Sequence, residues 1–172
     1  MPGRRVVITG VGAICALGHN RHEIEQAARS GRSGAQRVTR FDASTIACQI
    51  ACEIRGWDAE AYFGHEAKKL DLFTQYGLKA ADEAVEDSGI DLSRIDLWRA
   101  SVVTGSGIGG LHEIERQYRI LLEKGARRIS PHFVPKMMVN ALSGQISIKY
   151  GLKGENYATA SACASSSHAI GL

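Results

Sequence analysis

The chain has 172 residues, of which 44% are hydrophobic and 23% charged, a composition typical of a globular protein with one core. No run approaches eighteen apolar residues, and the basic start leads directly into a predicted strand without the apolar stretch of a signal peptide. The net charge of +3 and the aromatic content of 6% are too low for an extended nucleic-acid surface. We therefore expect a cytoplasmic protein with neither a membrane nor a nucleic-acid partner.

The first predicted element is a buried strand from Arg5 to Thr9, which leads into the glycine-rich turn Gly10 to Gly18. Such a turn can belong to a dinucleotide-binding site. Here Cys15 stands where the third glycine of that motif belongs, and no second strand ends in an acidic residue about twenty residues later. The sequence therefore gives little support for a dinucleotide site at this turn.

A short amphipathic helix is predicted from His22 to Ser30, ended by Gly31. Residues 46–55 then alternate between apolar and polar side chains, which is the period of a half-buried strand. This alternation puts Cys48 and Cys52 on the apolar face, and we expect both to pack inward. The four cysteines include no Cys-x-x-Cys pair, so we expect no metal site.

Residues 56–69 are predicted to be an exposed connection, and a long helix is predicted from Leu70 to Ser88, with Gly89 as its end. Gly77 and several alanines lie on one face of this helix. Because these side chains are small, we expect a neighbouring element to approach that face closely.

A strand from Arg99 to Thr104 precedes the loop Gly105 to Gly110, which fits the pattern G-x-G-x-x-G. An NAD-binding oxidoreductase built on this loop remains open as a function of a different class. The later predicted elements are a helix Leu111–Glu123, an irregular segment Arg127–Pro135, a helix Lys136–Tyr150 and a strand Asn156–Ala160. Strands that alternate with helices indicate an α/β domain with a mainly parallel sheet.

Cys163 lies at the point where the last predicted strand passes into a helix. The start of a helix carries partial positive charge and free N–H groups, and both stabilise a thiolate, so Cys163 is a candidate nucleophile. The simpler interpretation is a small buried apolar residue. His168 follows about 140° further around the same helix, so its ring should point away from the thiol and serve a structural role.

The segment Ser161-Ala-Cys-Ala-Ser-Ser-Ser-His-Ala-Ile-Gly171 resembles the active-site segment of β-ketoacyl-acyl-carrier-protein synthases, specifically the elongating type II enzymes of the thiolase superfamily. The segments that begin at Arg5, Asp71 and Gly105 are similar to that family as well, and the resemblance is collinear over essentially the whole chain. It implies a thiolase-like α/β fold in which residues 1–172 form the N-terminal half. The chain would then end within the nucleophile-bearing helix, with the second half absent.

The resemblance also implies a reaction. An acyl group is transferred to Cys163, and a decarboxylative Claisen condensation with malonyl-carrier protein follows, as in fatty-acid elongation, without a cofactor or metal. Two histidines and a lysine of the second half would support the enolate, so we expect the 172-residue chain alone to be inactive. A polyketide ketosynthase and an inactive ketosynthase-like partner subunit are the alternatives, and Cys163 argues against the second.

Further site residues and partners follow from the same resemblance. The protein would form a homodimer through the strand that precedes Cys163, and it would bind an acyl carrier protein. The implied acyl-pocket residues are Gly107, Ile108 as a gate at the pocket floor, and Phe133 of the partner subunit. The implied carrier-docking residues are Lys68, Lys69, Arg127 and Arg128, for which an ordinary solvated surface is the alternative.

Overall fold

The computed structural model describes residues 5–172. The α-helices are α1 Arg21–Arg29, α2 Ala59–Phe63, α3 Leu72–Ser88, α4 Leu111–Lys124, α5 Phe133–Met137, α6 Ala141–Tyr150 and α7 Ser165–Gly171. The strands are β1 Gln36–Arg37, β2 Ile50–Ala51, β3 Val102–Gly105 and β4 Asn156–Thr159. Short 3-10 helices cover Gly64–Lys69, Leu92–Arg94, Leu97–Arg99 and Ala126–Arg128.

The chain forms two compact units, which are described separately. The first comprises the residues up to Asp58 together with Lys79–Ile90, and the second comprises Ala59–Leu78 together with Asp91–Leu172. In the described part of the chain, no helix has the length and apolar character needed to cross a membrane.

In the first unit, the glycine-rich turn lies directly against the C-terminal part of α3. A Cβ atom at Gly10 would come 2.1 Å from the carbonyl oxygen of Ala84, and one at Gly12 would come 1.9 Å from that of Ala80. Backbone atoms cannot move aside as the end of a flexible side chain can, so a side chain at either glycine would force the two elements apart. The predicted close approach to the small-residue face of this helix is therefore confirmed.

The strand prediction for residues 5–9 is wrong. These residues form no strand, and their apolar side chains are exposed, at 85% for Val6 and 84% for Ile8. A strand needs a neighbour for its backbone hydrogen bonds, and within residues 5–172 no strand pairs with this segment.

Of the strand predicted over residues 46–55, only Ile50–Ala51 forms a strand, β2, which pairs antiparallel with β1. The expected inward packing of Cys48 and Cys52 is wrong, because both residues are exposed. The alternate residues Gln49, Ala51 and Glu53 are the more buried ones. The period of two is present, but the sheet buries the opposite face.

The second unit contains the parallel pair β3–β4, in which Val102 is aligned with Asn156 and Gly105 with Thr159. The Asn156 side chain ties β4 to α6: its amide donates to the Ser143 carbonyl at 2.8 Å and its oxygen accepts from the Ser143 hydroxyl at 2.9 Å. Ser143 is completely buried. The α/β class with parallel strands is confirmed, and the parallel sheet of the described chain has two strands.

Most predicted helices are confirmed to within two residues, including α1, α3 and α4. The predicted end of α3 at Gly89 is confirmed by its backbone φ of +60°, a conformation that suits glycine. Residues 56–69 are mostly exposed, as predicted, and they contain α2 and a 3-10 helix. The helix predicted for residues 136–150 is divided into α5 and α6.

The interior of the second unit contains charged as well as apolar side chains. Its buried hydrophobic residues are Ala67, Leu70, Leu78 and Val102. Its buried charged or large polar residues include Asp71, Gln75, Glu113, Gln117 and Lys136. Burial of charge is costly unless each charged group is paired and hydrogen-bonded, so this part of the core depends on specific polar geometry.

Candidate active site

Cys163 lies in the turn between β4 and α7, as predicted for a residue at a strand-to-helix transition. Two backbone hydrogen bonds close the turn: the N–H of Ala164 donates to the Ser161 carbonyl at 3.1 Å, and that of Ser165 donates to the Ala162 carbonyl at 3.2 Å. Cys163 itself is exposed and not disulfide-bonded. Its thiol is therefore accessible at the end of a parallel strand.

The residue before Cys163 has an unusual backbone conformation. Ala162 has a φ of +50°, and among the described residues it is the only non-glycine with positive φ. Non-glycine residues adopt this left-handed region at an energetic cost, and such strain is concentrated at functional sites. The turn thus presents Cys163 through a backbone bend that the surrounding structure must hold in place.

The Ser165 side chain provides much of that support. Its hydroxyl donates to the Ala162 carbonyl at 2.7 Å and accepts from the Ser161 N–H at 2.9 Å, and the residue is only 2% exposed. The Thr159 hydroxyl donates to the Ser165 carbonyl at 2.7 Å. The sequence analysis did not identify Ala162 or Ser165, because their roles depend on the folded turn.

The loop Gly105 to Gly110 lies against this turn. A Cβ atom at Gly105 would come 2.4 Å from the backbone carbon of Ser165, and one at Gly107 would come 3.4 Å from Ala162 Cα. Because Gly105 has no side chain, its backbone can lie in direct contact with the backbone of Ser165. This packing argues against the alternative in which the glycines make room for a nucleotide phosphate.

His168 forms a structural contact, as predicted. Its Nδ1 is 2.7 Å from the Ser161 hydroxyl, so the ring links α7 back to the end of β4. This contact uses one ring nitrogen to stabilise the turn on the side of Ser161.

Of the three predicted acyl-pocket residues, Gly107 and Ile108 lie in one loop of this chain, and Phe133 is expected from the partner subunit. Gly107 lies beside the turn that carries Cys163, whereas the Ile108 side chain in the same loop is 64% exposed. Phe133 is half-buried at the start of α5. Two open clefts of about 420 and 180 Å³ lie elsewhere, in the first unit, lined by residues 15–36 and Arg55.

The four predicted docking residues all lie at the surface of the second unit. Lys68 and Lys69 form ion pairs with Glu60 at 3.6 Å and with Glu66 at 2.7 Å, and all four side chains are well exposed. The remaining two, Arg127 and Arg128, are exposed in a 3-10 helix. Exposed ion pairs of this kind contribute little to stability, so the two lysines can exchange their partners for another acidic group.

No described group of three or more His, Cys, Asp or Glu side chains is arranged so that it could hold a metal ion. The chemistry that the site offers is that of an accessible thiol in a strained turn. Such a group can attack an activated carbonyl carbon.

Comparison with solved structures defines the fold. A β-ketoacyl synthase from Burkholderia phymatum aligns over 98% of this chain and 42% of its own, with a TM-score of 0.80 and 30% sequence identity. A ketosynthase of a type II polyketide synthase, solved with its acyl-carrier protein, aligns with a TM-score of 0.79 and 26% identity, over 98% of this chain and 45% of its own. The fold is thus that of the thiolase-like ketosynthases.

Sequence comparison defines the family. Residues 3–172 match the domain described as "Beta-ketoacyl synthase, N-terminal domain", and the chain belongs to this family. It is 43% identical to the 3-oxoacyl-[acyl-carrier-protein] synthase 2 of Coxiella burnetii and 41% identical to that of Vibrio cholerae, in each case over 99% of this chain. The chain spans 42% of the length of these curated relatives.

Proposed function

We propose that this chain is the N-terminal half, residues 1–172, of a β-ketoacyl-acyl-carrier-protein synthase that elongates fatty acids. The observation that carries the proposal is the position of Cys163, an accessible thiol in the strained turn between β4 and α7 of a chain that belongs to this family. Similarity to relatives named 3-oxoacyl-[acyl-carrier-protein] synthase 2 supports the choice of substrate.

In the proposed reaction, the thiolate of Cys163 attacks the carbonyl carbon of an acyl-carrier thioester, and the carrier leaves as its thiol. A malonyl-carrier thioester then loses carbon dioxide, and its carbanion attacks the acyl carbon on Cys163. The new carbon–carbon bond forms as the Cys163 thiolate leaves. The backbone N–H of Cys163 itself supplies part of the stabilisation of the oxyanion in each tetrahedral intermediate.

The enolate formed by decarboxylation needs hydrogen-bond donors that this chain does not supply at positions matching the family. The resemblance assigns them to two histidines and a lysine of the second half. We therefore propose that the 172-residue chain by itself does not condense acyl and malonyl thioesters. Carbon–carbon bond formation by that chain alone would contradict this assignment.

The decisive experiment is acylation of the full-length protein by an acyl-carrier substrate, followed by mass spectrometry of its cysteine peptides. Cys48 and Cys52 serve as internal controls because they are exposed as well, so exposure alone cannot produce selective acylation of Cys163. We expect the acyl mass on Cys163 only and no acylation of a Cys163→Ala variant. Equal acylation of all three cysteines would refute the proposed nucleophile.

We propose that Gly107, Ile108 and Phe133 of the partner subunit bind the acyl chain, with Ile108 as the gate. Each methylene buried in such a pocket contributes about 0.8 kcal/mol, so two carbons change binding by about tenfold. Ile108→Phe should lower kcat/KM for long acyl donors and leave short ones nearly unchanged. A uniform decrease for all chain lengths would show that Ile108 only packs the fold.

We propose that Lys68, Lys69, Arg127 and Arg128 bind the acidic acyl carrier protein. Their exposure in one unit supports this, since exposed charges can steer and orient an oppositely charged partner. Reversal of Arg127 and Arg128 to Glu should raise the KM for carrier substrates, most strongly at low salt. Unchanged kinetics at low ionic strength would favour an ordinary solvated surface.

We further propose a homodimer in the cytoplasm, assembled through the strand that contains Asn156–Thr159. Sedimentation of the full-length protein should give a dimer, and a fully active monomer would contradict it. A polyketide ketosynthase is the second candidate, because ketosynthases of that class are among the similar structures. Release of a 3-oxoacyl product extended by a single two-carbon unit, rather than an iterated polyketide, distinguishes the two.

A further inference from the structure

Glu113 is the centre of a group of side chains that the proposed reaction does not use, all of them buried except Arg116, whose side chain is 47% exposed. Its carboxylate, 1% exposed, accepts hydrogen bonds of 2.8 Å from each of Arg116, Gln117 and Lys136. Asp71 is also buried and accepts the backbone N–H of Glu113 at 2.9 Å. Two carboxylates and two cations balance in charge, so the buried Glu113 and Asp71 can remain ionised. We call these five residues the Glu113 network.

The Glu113 network is held by strong interactions. Burial raises the pKa of Glu113, but hydrogen bonds from Arg116, Lys136 and Gln117 outweigh this effect and leave the pKa below its ordinary value. Hydrogen bonds between ionised groups are short and directional, and removal of one partner of a buried pair leaves an uncompensated charge. The network therefore fixes the positions of the backbone segments to which it is attached.

Two of those segments carry the predicted docking residues. The Lys136 ammonium donates to the backbone carbonyl of Lys68 at 3.2 Å, and the Gln117 side-chain oxygen accepts the backbone N–H of Ser130 at 2.9 Å. Lys68 precedes the basic Lys69, and Ser130 follows the 3-10 helix Ala126–Arg128 by two residues. One buried network thus holds the backbones of both basic segments, which are separated by about sixty residues in sequence.

The same part of the fold contacts the loop next to Cys163. The N–H of Gly110 donates to the carbonyl of Met137 at 3.0 Å, and a Cβ atom at Gly110 would come 2.6 Å from the carbonyl oxygen of Lys136. Lys136 therefore contributes its side chain to the Glu113 network and its backbone to the contact with the Gly105 to Gly110 loop.

We propose that Glu113 and Lys136 are positioning residues that hold the two basic segments at a fixed spacing, so that both bind one acyl carrier protein. This proposal rests on the proposed function. Lysine and arginine side chains are flexible, so the spacing of their backbones determines whether two segments can bind one partner at once. If the spacing is already fixed in the free protein, binding does not have to order the two segments, and the free-energy cost of that ordering is avoided.

The first test is the Lys136→Met variant of the full-length protein, which keeps the length and packing of the side chain but removes its charge. We expect the KM for an acyl-carrier substrate to rise about tenfold, or about 1.4 kcal/mol. The kcat and the KM for a short acyl thioester of N-acetylcysteamine should change less than about twofold, or less than about 0.4 kcal/mol. A purely structural role would instead lower kcat for both substrates.

A matched control removes an ion pair from the outer surface of the same helix. Glu115 and Arg119 are 2.9 Å apart, and each side chain is 67% exposed. The double variant Glu115→Gln/Arg119→Met changes the charges of α4 without touching the Glu113 network, and it should leave both KM values unchanged. An equal rise in KM for this control would overturn the proposal, because surface charge alone would then explain the effect.

Hydrogen–deuterium exchange supplies a readout that does not depend on activity. Lys136→Met should accelerate amide exchange in both residues 66–70 and residues 127–131. Gln117→Met, which leaves the Glu113–Lys136 pair intact, should accelerate exchange only in residues 127–131, and it remains informative if Lys136→Met does not fold. Unchanged exchange in both segments would overturn the proposal even if the wild-type protein is an active synthase. A wild-type protein that transfers no acyl group would instead overturn the proposed function.

Discussion

The two glycine-rich turns of this chain look alike in sequence but contact different parts of the fold. In the first unit, Gly12 is pressed against the backbone of Ala80 in α3. In the second unit, Gly105 is pressed against the backbone of Ser165, two residues after Cys163. Both turns therefore use glycine for close backbone contact. Only the second contact involves the turn that carries Cys163. A substitution in the first turn should therefore affect stability alone, whereas one in the second should also affect Cys163.

The largest effect is expected for Gly105→Ala. The new methyl group would lie 2.4 Å from the Ser165 backbone, and Gly105 is fixed in β3 by its pairing with Thr159. Overpacking of this kind costs about 3 kcal/mol of the free energy of unfolding. We expect a lower Tm and at least about tenfold slower acylation of Cys163, or about 1.4 kcal/mol in the barrier. Normal acylation by a destabilised variant would show that the turn tolerates displacement.

A smaller effect, confined to stability, is expected for Gly12→Ala. The methyl group would come 1.9 Å from the Ala80 carbonyl, but the turn is held to α3 by hydrogen bonds from the Val11 and Ala13 N–H groups to the Asp87 and Glu83 carboxylates, and these flexible side chains can follow a small displacement. We expect a loss of about 2 kcal/mol by chemical denaturation, with the acylation rate of the folded protein unchanged. If acylation slows as much as in Gly105→Ala, the two turns are not separable.

Glu53 should make the stability of the first unit sensitive to acid. In the first unit, the Thr39 hydroxyl and N–H, together with the Arg40 N–H and nearby Arg55, lower the pKa of Glu53 from 4.5 to about 2. A lowered pKa means that ionised Glu53 stabilises the folded state above about pH 4.5 and that this contribution is lost as the pH falls towards 2. Denaturation midpoints at pH 7 and pH 3 should show a smaller difference for Glu53→Gln than for the wild type. An identical pH dependence would exclude Glu53 as its source.

The smallest effect is expected for Gly107→Ala. Its methyl group would lie 3.4 Å from Ala162, an ordinary van der Waals distance. The free energy of unfolding should change by less than about 0.5 kcal/mol, as for substitutions that disturb no packed contact. A large loss of stability would mean that the loop and the turn of Cys163 are packed more tightly than this distance indicates.

Local signals in the sequence predicted the helices well. The ends of α1 and α3 follow from the nearby glycines Gly31 and Gly89, and the extent of each helix follows from the spacing of its own apolar residues. The transition at Cys163 was predicted for the same reason.

Features that depend on distant partners were missed. The period of two in residues 46–55 cannot tell which face a sheet will bury, and the exposure of Cys48 and Cys52 shows this. Glu113 and Lys136 look like surface residues in the sequence, because their pairing depends on a contact between two separate helices. The docking and pocket residues came from family resemblance rather than from any local pattern.

The left-handed backbone of Ala162 restricts which sequences can occupy the position before the cysteine. In a randomised library at this position, selected for folded and acylatable protein, glycine and asparagine should be tolerated because both adopt positive φ with little strain. Valine, isoleucine and threonine should be depleted, because a branched Cβ makes the left-handed conformation more costly. The narrow choice of residues at position 162 would then reflect the geometry of the bend rather than any contact with a substrate.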